Sequence, residues 1–118
     1  MNWSDYLRQM GGHMRALGQA APGPLEGFRA LDAAAFKTQH LDAKTAELIA
    51  LAVAASTGCD GCIGVHALRA AKVGATQEEV AEALGVVVAI KAGAALVYAG
   101  RAMDAVVQAS APTKAALD

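Results

Sequence analysis

Apolar and polar side chains follow helical spacing along nearly the whole chain, and period-two alternation is almost absent. From Trp3 to about Gln19, Tyr6, Leu7, Met10, Met14 and Leu17 recur at three- and four-residue steps, with Gly11 and Gly12 weakening the middle. "APGPLEGF" interrupts the pattern, and Pro24 suits the first turn of a second helix reaching about Thr38. "QHLDAKTAELIALAVAAS" predicts a third helix, N-capped by Asp42 with Leu41 free to staple against it, ending near "STG". A fourth helix carries the cysteines to about Val73, where Gly74 can take the left-handed terminating conformation. Thr76 with Glu79 three residues on is a capping box opening a fifth. "KAG" at 91–93 predicts a break before a last helix ending near Ser110, and the tail "APTKAALD" is expected to fray. The expectation is an all-α bundle of about six helices, without internal repeat or linker.

A chain of 118 residues is long enough for one core and too short for two, so residues 1–118 read as a single domain. Apolar residues make up 55% and aromatics only 4%, so the interior must come from Ala, Leu, Val and Ile. Such a small chain cannot hide all its apolar side chains, and the Ala/Val-rich last two helices are expected to bury against neighbouring subunits. A net charge of -1, with dispersed positive charges, gives no reason to expect nucleic acid as a partner. "MNWSDYLRQM" has neither a basic run nor an uninterrupted apolar segment, which reads as a cytoplasmic protein without a signal peptide. "VAEALGVVVAIKAGAALVYAG" is long enough to span a membrane, but Glu82 and Lys91 lie within it; buried helix or subunit interface is the reading, not membrane.

The chemistry gathers in "TGCDGCIGVH", residues 57–66, which holds both cysteines and one of the three histidines. On a helix, Cys59, Cys62 and His66 are spaced by three and four residues and share one face. A dithiol at this separation can close to a disulfide if the first turn is loose, and Gly58 and Gly61 supply looseness. Two features promote thiolate on different sulfurs: the free amides of a helix N-terminus near Cys59, and the imidazole one turn beyond Cys62. Glu47 lies in an otherwise apolar stretch, and a carboxylate there needs a partner, for which His66 is the obvious candidate. Glu47, His66 and Cys62 would then form a base relay.

The span from Lys44 to Ala99 resembles the carboxymuconolactone decarboxylase superfamily, specifically its alkylhydroperoxidase AhpD-like branch. That branch is marked by Glu, eleven residues, then C-x-x-C-x-x-x-H, and Glu47, Cys59, Cys62 and His66 match all four positions. The similarity covers about residues 41–107. It implies an all-helical homo-oligomer, commonly a trimer or hexamer. It also implies a thiol peroxidase or disulfide reductase in which Cys62 attacks a small hydroperoxide, Cys59 resolves the product, and Glu47 and His66 relay the proton. The resulting Cys59–Cys62 disulfide would be reduced by a dithiol protein or small thiol, with no further cofactor and no metal. Longer AhpD proteins carry a second histidine directly before the second cysteine, where this chain has Gly61.

Three other readings compete. The cysteines could be a switch in a non-catalytic, redox-sensing homo-oligomeric module, or the fold could serve a lactone decarboxylase-like lyase. A structural zinc site would find only three ligands in C-x-x-C-x-x-x-H, so Glu47 or a distant histidine would have to complete it. His13 and His40 lack partner spacing, Trp3 and Tyr6 read as an N-terminal packing pair, and Tyr98 as core or interface.

Overall fold

The computed structural model describes residues 1–111, and every regular element among them is a helix. In chain order these are α1 (Trp3–Ala20), α2 (Pro22–Ala35), α3 (Ala43–Thr57), α4 (Asp60–Lys72) and α5 (Gln77–Ala109). Apart from Ala111, the tail expected to fray lies outside the described residues.

Side chains set the helix starts. Asn2 accepts from the Asp5 amide and Asp42 from the Thr45 amide, each satisfying a donor that the helix itself leaves free. Thr76 and Glu79 form the full capping box, with reciprocal bonds of 3.1 and 3.0 Å. Pro22, two residues before the expected position, opens α2, which ends at Ala35 rather than Thr38. Leu41 stays 47% exposed beside α3. Two glycines in the left-handed region stop α3 and turn the chain after α4: Gly58 at φ 71° and Gly74 at φ 81°.

The predicted break at Lys91–Gly93 does not occur: α5 runs unbroken through it, giving five helices where six were expected. One glycine costs about 1 kcal/mol in a helix interior, and the alanines and Lys91 around Gly93 are good helix formers that keep the backbone ladder intact.

Helices α3 and α4 form an antiparallel hairpin; α5 lies along α3, α1 along α4, and α2 folds back on α1. The buried apolar side chains are few and mostly small: Ala46, Leu51 and Ala54 from α3, and Ala70 from α4. No residue of α1, α2 or α5 is fully buried. On α5 the half-buried positions Val80, Ala83, Leu84 and Val87 mark the seam against α3, beyond which Val88, Ile90, Leu96, Val97 and Tyr98 are 65–75% exposed. The last helix is therefore not buried against the rest of the chain, and Tyr98 is not a core residue. The radius of gyration is 20.7 Å, against about 13.5 Å for a compact domain of this length.

Candidate functional site

The α3–α4 hairpin places the matched residues. Gly58 turns the chain, the Cys59 amide donates to the Ala54 carbonyl at 3.0 Å, and α4 starts immediately afterwards. With the hairpin closed, His66 on α4 meets Glu47 on α3, nineteen residues away, with Nδ1 and Oε2 2.7 Å apart. Glu47 is 6% exposed, and Lys44, three residues before it on α3, pairs instead with Glu79 of α5 at 2.7 Å. The buried carboxylate thus has the partner that its apolar surroundings require. An ionised carboxylate only accepts, so Nδ1–H donates and Nε2 is the nitrogen left to take a proton.

Cys59 and Cys62 are joined in a disulfide, with Cα atoms 5.3 Å apart. Cys59 is not on the helix with the other two side chains but is the α4 N-cap, in extended conformation, and its sulfur accepts the Cys62 amide at 3.2 Å. Ser, Thr, Asn and Asp are the usual caps, and a free thiolate here would satisfy the same amide more strongly. Cys62 and His66, one turn apart, do share a face of α4; Cys62 is exposed and Cys59 half-buried. The geometry therefore brings together a dithiol/disulfide on the first turn of a helix and a carboxylate–imidazole pair one turn further on.

Gly61 and Gly64 form the face of α4 that receives α1. A Cβ on Gly61 would come within 2.5 Å of the Met10 sulfur and 3.8 Å of the Tyr6 hydroxyl; one on Gly64 would come within 2.8 Å of Leu7 Cδ2. The Met10 side chain lies in the space that a larger side chain at position 61 would enter. Trp3 and Tyr6 do pack together, edge to face at 6.0 Å, while His13 and His40 are exposed.

Three residues that the sequence did not single out also reach the site. Phe36, the α2 C-cap, stacks on the His66 ring with centroids 5.1 Å apart and planes 20° from parallel. The Arg69 guanidinium lies over the Phe36 ring, 5.5 Å from its centroid, and bonds to Asp32 at 3.2 Å. Their local signal was only a spacing: Asp32 and Phe36 are four apart, His66 and Arg69 three apart, so each pair shares a helix side.

Residues 22–105 match the family model for the carboxymuconolactone decarboxylase family. An uncharacterised protein of Haemophilus influenzae is 45% identical over 104 residues, 88% of this chain and 92% of that protein. One from Cupriavidus necator is 36% identical over 100 residues, 85% of each chain. A carboxymuconolactone decarboxylase family protein from Legionella pneumophila, crystallised in its apo form, superposes with a TM-score of 0.72 at 38% identity, covering 87% of this chain and 92% of that one. These matches are consistent with the AhpD-like branch of the superfamily. With more than half its length matched and its helices arranged as in a solved member, the chain belongs to the carboxymuconolactone decarboxylase family.

Proposed function

We propose that this protein is a thiol-dependent oxidoreductase that reduces small alkyl hydroperoxides or disulfides, its dithiol being oxidised to the disulfide in either case. The observation that carries the reading is the Cys59–Cys62 pair closed to a disulfide one turn from a half-buried imidazole bound to a buried carboxylate. Inert core thiols need neither a proton acceptor nor an exposed sulfur, and Cys62 is exposed.

Nε2 of His66, its tautomer fixed by Glu47, takes the Cys62 thiol proton. The thiolate attacks the distal peroxide oxygen; the O–O bond breaks, Cys62 becomes a sulfenic acid, and an alcohol leaves with the proton from His66. Cys59 then attacks the Cys62 sulfur, expelling water and forming the disulfide, which a dithiol protein or small thiol reduces by exchange. Cys59 is suited to resolving because its sulfur already lies against the α4 N-terminal amides beside Cys62.

A homo-oligomer, trimer or hexamer, belongs to the same proposal. The subunit exposes 8829 Å², whereas a compact monomer of 11.9 kDa exposes about 6,000 Å². The excess is several times the roughly 800 Å² that one partner buries in a standard interface. Residues 1–118 act as one AhpD-like unit in the cytoplasm.

Thiol titration before and after one equivalent of cumene hydroperoxide tests the activity: two free thiols should fall rapidly to none. Thiols that stay reduced while zinc is found in stoichiometric amount would sink it. Cys62→Ser should abolish peroxide consumption, and Cys59→Ser should leave a single stoichiometric reaction with trapped sulfenic acid. The opposite pattern would reverse the two roles. Glu47→Gln should slow the thiol reaction with unchanged helix content; a wild-type rate across pH 6 to 8 would remove Glu47 from the relay.

A further inference from the structure

The Glu47–His66 bond fixes one direction in the imidazole but leaves the ring plane free to tilt about it. A stacked neighbour fixes the plane. Phe36 occupies that position, 5.1 Å from the imidazole and 20° from parallel, and Phe36 is itself held. Its amide donates to the Asp32 carbonyl at 3.1 Å, the Asp32 carboxylate accepts from Arg69 at 3.2 Å, and the Arg69 guanidinium lies 5.5 Å from the Phe36 centroid. Two residues four apart at the end of α2 thus grip two residues three apart on α4, Phe36 on His66 and Asp32 on Arg69. The grip is made by side chains alone, since α2 packs its backbone against α1 and not against α4.

We propose that Phe36, clamped by the Asp32–Arg69 pair, is a positioning residue for His66: it holds the imidazole plane so that Nδ1–H stays on Glu47 and Nε2 remains the free nitrogen. Half-buried Phe36 also covers one face of the ring and keeps water off that side. The role of the ring as base rests on the proposed function; the tautomer it adopts does not.

The test is ¹⁵N nuclear magnetic resonance of the histidine side chains in the full-length protein near pH 8. Exposed His13 and His40 serve as internal references for an unconstrained ring. Wild-type His66 should be almost wholly the Nδ1–H tautomer. Phe36→Leu, which keeps bulk without a planar ring, should move His66 toward the reference signals and slow hydroperoxide consumption about three- to tenfold, the effect of losing one aromatic stack. Phe36→Tyr should restore both. Arg69→Met, which leaves the α2 cap intact, should produce the same tautomer shift in smaller degree. A Phe36→Leu protein whose His66 signals match wild type would overturn the proposal, and so would a shift that Phe36→Tyr fails to reverse. If the wild type consumes no peroxide, the peroxidase reading falls, and the tautomer signals alone decide the role of Phe36. Should Phe36→Leu not fold, an unshifted His66 in Arg69→Met decides against the clamp.

Discussion

Gly61 and Gly64 look alike in sequence but should respond differently to a methyl group. At Gly61 the obstacle is the sulfur near the end of Met10, a flexible side chain that can swing aside. At Gly64, which is buried, the obstacles are Leu7 and the Trp3 ring, 2.8 to 3.3 Å from the new atom. Alanine gains about 1 kcal/mol of helix propensity at either site, while overpacking costs roughly 1–3 kcal/mol. Gly61→Ala should therefore be near neutral, and Gly64→Ala should lose about 1 kcal/mol, seen as a lower thermal midpoint and faster proteolysis within α1. Equal midpoints for the two variants would mean that α1 is not seated as described. The Glu47–His66 pair was legible in the sequence because an isolated carboxylate among apolar residues demands a partner, and a hairpin leaves few within reach. Phe36 was not, because an aromatic residue after a helix carries no mark of the ring it will cover thirty residues later.

Helix starts were the most readable elements, since Asp42, Thr76 and Glu79 act on amides within three residues of themselves. The continuity of α5 was not readable: whether Gly93 ends a helix depends on small competing terms rather than on any single signal. The placement of Cys59 as a cap was likewise hidden, because C-x-x-C spacing suits a helix and a helix start equally well. Between elements, Lys44 of α3 and Glu79 of α5 form a pair whose pH response can be stated. The Lys44 ammonium, and after it the Thr76 amide, hold the Glu79 carboxyl below its ordinary value of 4.5. That contribution is present above the unfolded carboxyl value and is lost as pH falls through the lower folded one. Bonding to Glu79 raises Lys44 above its ordinary 10.5, so its contribution is present below that value and lost as pH rises through the higher folded one. Both side chains are partly exposed to solvent, so the effect is small and salt-sensitive. Denaturant midpoints of wild type and Lys44→Met should differ most at neutral pH and low salt and converge below about pH 4; a gap that is constant from pH 3 to 8 would show that the pair contributes nothing.

At the scale of the whole molecule, α5 governs behaviour. Past its seam with α3, about 20 residues, or roughly 30 Å of helix, carry exposed Val, Ile, Leu and Tyr. The helix is long and apolar enough to cross a membrane by length and composition, but the proposed assembly would cover the same surface with copies of the chain. Sedimentation equilibrium at micromolar concentration should give a multiple of 11.9 kDa, and Leu96→Glu with Val97→Glu should lower it; a wild-type monomer would overturn the assembly. By contrast, Glu47, Cys59, Cys62 and His66 lie within twenty consecutive residues joined by one tight turn. A hairpin with so short a loop closes at small entropic cost and on a fast timescale. Its thiols and imidazole come together on α3 and α4, and no residue of α5 is among them. Closure of the disulfide therefore depends on the hairpin and the proposed assembly on α5, so the one is separable from the other.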